Sequence, residues 1–229
     1  MPPTPAALGS LTFALSGLLF IVFWAMAPAL QAFYGAAAAL HPVWGPSQLV
    51  HCFAAVAGLL GTAGVHGKHA SKTAWCGLLG SACALVGQAS FFADGVIAYA
   101  VFPPIAKAIP SAVDLDGFMF TGANYSAYTA FAVLFMVGYI ILGISLVYFR
   151  ALPAAPVPYL AEISAGALVV GSILANLPPT AGFGVICAGG IIWGAGALVI
   201  GALWARDDLF GAPASNSADA KAHVGGDSM

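Results

Sequence analysis

The chain has 229 residues, of which 61% are hydrophobic and only 6% are charged. Soluble domains carry about 25% charged residues, so this composition excludes a water-exposed globular surface and indicates an integral membrane protein whose partner is the lipid bilayer. The formal net charge is −2, and no run of Lys or Arg occurs, which excludes nucleic acid as a partner.

The apolar segments predict an all-α, polytopic transmembrane bundle of six helices in one domain at residues 1–206. Lipid cannot hydrogen-bond to an open backbone, and each segment has close to the about 20 residues that a spanning helix needs. Proline, glycine or charged residues separate consecutive segments. In chain order the predicted spans are residues 8–34, 47–66, 75–102, 125–149, 159–177 and 182–205.

The distribution of positive charge predicts the orientation. In the predicted loops, one end of the bundle holds only Lys107, and the other end holds five of the six Lys and Arg residues. By the positive-inside rule, both the N-terminus and the C-terminus are therefore predicted to be cytoplasmic. The five residues at the cytoplasmic end are Lys68, Lys72, Arg150, Arg206 and Lys221.

Two segments outside the spans carry further predictions. Residues 207–229 are rich in Ala, Ser, Gly and Asp, and we predict a disordered cytoplasmic tail. The loop before the fourth span contains Ser111 followed by Asp114, a spacing similar to a capping box, which predicts a short surface helix.

Small residues recur along several spans at the spacing of one helix face, as with Gly190 and Gly194 in the sixth span. Such stripes let helices approach closely. We interpret them first as contacts within the bundle. The alternative is a homo-oligomer, or a contact with a membrane partner.

Asp94 and His51 are the main candidates for a functional site, because ionisable side chains at membrane depth are costly and often mark function. Both lie in the outer halves of their spans, on faces that also carry small residues. Neighbouring antiparallel helices with such faces would bring the imidazole close to the carboxylate. Other polar side chains predicted at the same depth are Gln31, Tyr99, Asn124, Tyr128 and Asn176.

Two interpretations of this set stay open. In the first, an outward-facing polar cavity binds or transports a small ligand or an ion. In the second, His51 and Asp94 form a satisfied polar pair that fixes helix register, and the protein is a structural or assembly subunit with no site of its own.

The sequence favours neither an enzyme nor a cofactor-binding protein. H-E-x-x-H, G-x-S-x-G and P-loop motifs are absent, so no catalytic residues are predicted. The four cysteines form no C-x-x-C pair, and His51 is the only histidine well inside a span, so we predict neither a metal site nor a haem.

With the spans assigned, the chain resembles uncharacterised six-helix integral membrane proteins of bacteria. The resemblance lies in residues 17–20 (GLLF), 149–153 (FRALP) and 176–179 (NLPP), and in a Gly-rich last helix that ends at 204–206 (WAR). It covers most of residues 10–206. It implies a multi-pass protein of the bacterial inner membrane and no established activity.

Overall fold

The structure is a computed structural model that describes residues 4–30, 34–153, 155–177 and 181–210, and for Asn124 the backbone alone. These residues form α-helices and two short 3-10 helices, and none of them lies in a β-strand. The α-helices are α1 (Pro5–Met26), α2 (Ala36–Ala39), α3 (Trp44–Ala100), α4 (Phe102–Ala108), α5 (Gly122–Tyr148), α6 (Leu160–Ala175) and α7 (Phe183–Phe210), and the 3-10 helices are Ala27–Leu30 and Pro110–Val113.

The long helix α3 consists of two antiparallel arms. A straight helix of its 57 residues would be about 85 Å long. Ala74 interrupts it with φ 48° and ψ −141°, values outside the helical region. The indole Nε1 of Trp44 donates to the carbonyl oxygen of Ala98 at 2.7 Å, although the two residues are 54 positions apart. The first arm (residues 44–73) and the second arm (residues 75–100) therefore lie side by side.

Several helices have the length and the hydropathy of membrane spans. Four helical segments are long and apolar enough to cross a membrane: α1 with its 3-10 extension, α3, α5 from Tyr125, and α7. α6 is apolar but shorter, with 16 residues. The described residues thus confirm the prediction of an all-α protein with long apolar helices.

The helices close into a ring around a common interior. α1 packs against α3 and α7, α6 packs against α5 and α7, and α5 packs against α3. Glycines set the closest approaches within this ring. A Cβ added at Gly61 in the first arm would lie 2.5 Å from the Cα of Phe13 in α1, and one at Gly87 in the second arm would lie 2.5 Å from the Cα of Phe135 in α5.

The small-residue stripe of α7 is filled by α1 of the same chain. A Cβ at Gly194 would lie 2.7 Å from the carbonyl oxygen of Gly17, and a Cβ at Gly190 would overlap the indole of Trp24. These two glycines therefore let α1 and α7 pack closely within the bundle.

Two helix ends differ from the sequence prediction. α1 stops at Met26 rather than near residue 34, because Pro28 has no amide hydrogen to donate and the chain tightens into a 3-10 turn. The segment between the second and third predicted spans, residues 67–74, is helical up to residue 73, and the chain reverses at Ala74.

The last helix also extends past its predicted end, to Phe210. Its final turn is anchored by Asp208, which accepts a hydrogen bond of 2.8 Å from the hydroxyl of Ser10 and pairs with the ammonium of Lys68 at 2.5 Å. Residues 207–210 are therefore helical rather than part of the predicted tail, and 211–229 lie outside the described residues.

The segment between α3 and α5 folds over one end of the ring, and we call residues 102–120 the cap. The predicted surface helix after Ser111 is not formed, because Ser111 lies inside a 3-10 helix whose Ala112 and Val113 are buried. The ring of Phe120 instead turns inward and contacts Phe102 with ring centroids 5.6 Å apart.

Candidate functional site

A cavity of about 410 Å³ lies inside the ring, next to the cap. Its walls come from the start of the first arm, the end of the second arm and the first half of α5, so it lies in the half of the bundle away from Ala74. Small-ligand pockets span roughly 300–1,000 Å³. The cavity is therefore large enough for a small organic molecule.

The structure brings four of the seven predicted site residues to this cavity. His51, Asp94, Tyr128 and Asn176 all line it. They come from the first arm, the second arm, α5 and the residue that follows α6, respectively. Residues far apart in sequence thus meet at one depth in the bundle.

The other three predicted residues are not placed in the cavity walls. Tyr99 is five residues after Asp94, which turns it about 140° around the helix, and it lines a separate apolar groove with Phe53 and Val96. Gln31 lies outside the described residues, and so does the side chain of Asn124.

The imidazole of His51 packs among aromatic rings. It is 6% exposed and stacks on the ring of Phe23 with centroids 4.4 Å apart and planes 12° apart. The rings of Phe20 and Phe91 lie at 5.8 Å and 5.7 Å. Its Nδ1 is buried and has no hydrogen-bond partner among the described residues.

The carboxylate of Asp94 is unpaired. It is partly exposed to the cavity, and it forms no hydrogen bond or ion pair with any residue that the structure describes. It lies within electrostatic range of Tyr128 and Cys52. His51 and Asp94 thus share a cavity, but the register-fixing hydrogen bond between them is not formed.

Glycine explains why the two arms of α3 can approach near His51. A Cβ at Gly95 would lie 2.8 Å from the sulfur of Cys52 and 3.5 Å from Nδ1 of His51. A Cβ at Gly58 would lie 2.6 Å from the amide nitrogen of Gln88. Small residues thus set the helix spacing at two levels, beside His51 and beside Gln88.

A buried polar network lies deeper in the bundle and joins three helical segments. The hydroxyl of Tyr139 in α5 is 2.9 Å from the hydroxyl of Thr62 in the first arm and accepts a bond of 3.0 Å from the side-chain amide of Gln88 in the second arm. The ring of Tyr139 meets Trp193 edge-on at 4.9 Å. We call these four residues the floor of the cavity.

Sequence reasoning missed most of the aromatic wall. Tyr128 and Phe135 of the wall and Tyr139 of the floor are separated by seven and four residues, which places them on one helical face. That spacing was a usable signal, but aromatic residues are so frequent in these spans that only the folded ring separates wall residues from lipid-facing ones.

The described walls of the cavity offer aromatic faces, the carboxylate of Asp94 and the imidazole of His51 for contact with a ligand. Among the residues with described positions, no group of three or more His, Cys, Asp or Glu side chains could hold a metal ion. Comparisons of the chain with protein-family models, with curated proteins and with solved structures find no match. The functional argument therefore rests on the cavity itself.

Proposed function

We propose that the chain crosses the membrane six times, with both termini in the cytoplasm, in the bacterial inner membrane that its resemblance implies. The two arms of α3 supply two crossings, since each exceeds the about 20 residues needed. α6 rises only about 24 Å against a hydrocarbon core of about 30 Å. Asn176 and Leu177, which follow it, extend this crossing toward the cap.

Charge and exposed aromatic side chains support this orientation. Lys68, Lys72, Arg150 and Arg206 all lie at the end of the bundle away from the cap, as the positive-inside rule requires of a cytoplasmic end. Three aromatic residues at the same end are 74–81% exposed, which is typical of an interfacial belt. They are Trp75, Tyr148 and Tyr159.

We further propose that the protein binds a small ligand in the cavity beneath the cap, in the outer half of the membrane. The observation that carries this proposal is the carboxylate of Asp94, which no described residue pairs with, in the wall of a 410 Å³ cavity that His51, with its unpartnered Nδ1, also lines. An unpaired ionisable group at membrane depth is costly, and such groups commonly mark a ligand or ion site.

The floor favours binding over transport in this conformation. Thr62 and Gln88 are buried below the cavity and each forms a hydrogen bond with the buried hydroxyl of Tyr139, and Trp193 is 1% exposed. A ligand that enters from the outer side would stop at this layer. Passage to the cytoplasmic side would require these three hydrogen-bonded side chains to separate.

Filling the cavity tests the proposal. Ala132 lines the cavity and is 8% exposed, whereas Ala130, two residues earlier in α5, is exposed and faces away from it. Ala132→Trp should remove the ligand that native mass spectrometry detects on the gently solubilised wild-type protein. Ala130→Trp, the matched control, should retain it. A bound mass that survives in Ala132→Trp, or no bound mass in any of the three proteins, would contradict ligand binding in this cavity.

A further inference from the structure

The walls of the cavity combine many aromatic faces with one negative charge. Half of the residues that line it are aromatic, including Phe23, Phe91 and Trp193. Asp94 is the one acidic residue among the described lining residues, and none of these is Lys or Arg. Aromatic faces attract cations through the ring quadrupole, and a carboxylate adds a direct opposite charge.

The acidic residues of the cap give the same end of the molecule a negative balance. Leu115 lines the cavity and is flanked by Asp114 and Asp116, both exposed. Lys107 is the one Lys or Arg in the described part of the cap. Together with Asp94, the described residues at this end include three acidic side chains and one basic side chain, which raises the local concentration of cations near the cap.

The donor set does not suit a divalent metal ion. The described residues contain no cluster of three or more His, Cys, Asp or Glu, and the imidazole of His51 is set among the rings of Phe23 and Phe91. Metal ions need several polar ligands at short distance. A weakly hydrated organic cation instead gains from aromatic faces and loses little hydration on entry.

We propose that the ligand of this cavity is a small organic cation of the amine or quaternary ammonium class, held by Asp94 and the surrounding rings. This inference rests on the proposed ligand-binding function and names the chemistry of its ligand. The carboxylate that no described residue neutralises is then neutralised by the ligand. Anions are excluded by the same charge, and neutral molecules of the same shape lack the electrostatic contribution.

Three probes of one shape test the proposal. They are the cation benzyltrimethylammonium, the neutral alcohol dimethylbenzylcarbinol and the anion phenylmethanesulfonate, each measured by equilibrium dialysis against the purified full-length protein in detergent. The cation should bind at least about tenfold more tightly than the alcohol, a difference of about 1.4 kcal/mol. The sulfonate should show no binding.

Variants of the acidic residues test which carboxylate determines the affinity for the cation. Asp94→Asn keeps the size and removes the charge, and it should reduce the affinity for benzyltrimethylammonium to that of the alcohol. Asp94→Glu should retain most of the preference for the cation. Asp116→Asn removes the same charge from the cap without touching the cavity wall, and it should change the affinity by less than about twofold because exposed charges are screened.

The outcomes separate the two proposals. If the alcohol or the sulfonate binds as tightly as the cation, or if Asp94→Asn retains full cation affinity, the cation class is wrong while ligand binding stands. If none of the three probes binds to the folded wild-type protein, the cation class is overturned, and the native mass spectra of the wild-type protein and Ala132→Trp then decide whether the cavity binds another ligand. Equal loss of cation affinity in Asp116→Asn and Asp94→Asn would mean that general surface charge, rather than the cavity, attracts the cation.

Discussion

The two halves of the bundle are built from the same helices but by different side chains. Near Ala74, α1 and the first arm touch through glycine, since a Cβ at Gly9 would lie 2.6 Å from the Cα of Gly64. Near the cap, the same helix presents Phe20 and Phe23 to the interior, and the helices enclose the cavity. In the half near Ala74, glycines let α1 and the first arm touch through their backbones, whereas in the cavity half aromatic side chains of α1 line the space between the helices.

The two halves also differ in whether their charged side chains form ion pairs. At the end of the bundle away from the cap, Lys68 pairs with Asp208, and Arg206 pairs with Asp207 at 2.8 Å. In the cavity half, Asp94 has no partner among the described residues. Under the proposed function, the closely packed half stabilises the protein and the open half binds the ligand, and the variants below test these two roles.

The largest effect is expected at the glycine contacts. Gly194→Leu should destabilise the protein by about 3 kcal/mol or more, because the new side chain meets the backbone of α1, which cannot move without opening the ring. Gly166 in α6 has no heavy atom within 4 Å of an added Cβ, so Gly166→Leu is the matched control and should leave the stability unchanged or raised. Thermal unfolding in detergent measures both, and equal melting temperatures for the two variants would refute close packing at Gly194.

A smaller loss is expected at the floor. Tyr139→Phe removes the hydroxyl that joins Thr62 and Gln88 and should cost about 1 kcal/mol, the scale of hydrogen bonds in membrane proteins. Tyr148→Phe, at a side chain that is 76% exposed, should cost nothing measurable. Chemical unfolding curves of the two variants provide the comparison. A stable Tyr139→Phe would mean that the network does not tie the three segments together.

A substitution at Ala74, where the chain reverses, should raise the stability of the protein rather than lower it. Its φ of 48° with ψ of −141° is a conformation that L side chains rarely adopt and that glycine adopts easily. Ala74→Gly should therefore raise the stability by up to about 1 kcal/mol. Ala70→Gly, on the helical part of the first arm, should lower it. A lower melting temperature for Ala74→Gly would show that this backbone is not strained.

Much of the fold can be predicted from local features of the sequence. Long apolar runs predict the helices, and the positions of Pro and Gly predict most of their ends within a few residues. The continuation of α7 to Phe210 was not predictable, because it depends on Asp208 meeting Ser10 and Lys68 from distant segments. Local composition alone indicated a disordered segment there.

The site was less predictable than the fold. His51 and Asp94 could be chosen from the sequence because ionisable residues are rare in the spans. Their depth could also be predicted, because it depends only on their position within each helix. Whether the two side chains touch depends on the spacing between the arms, which glycines such as Gly58 and Gly95 set through contacts with side chains about 30 to 45 positions away. The prediction that Tyr99 belongs to the site was wrong for a simpler reason. It used the depth of Tyr99 in the membrane and not the direction in which Tyr99 points around the helix.

One substitution made at two places tests the central claim most directly. Asp208→Asn should lower the melting temperature, because it leaves Lys68 without its partner. Asp94→Asn should melt at or above the wild-type temperature in the absence of ligand, because an amide costs less to bury than an unpaired carboxylate, and it should lose the binding of benzyltrimethylammonium. If Asp94→Asn instead destabilises the protein as much as Asp208→Asn and binds the cation unchanged, Asp94 is a structural residue and the open half of the bundle is not a binding site.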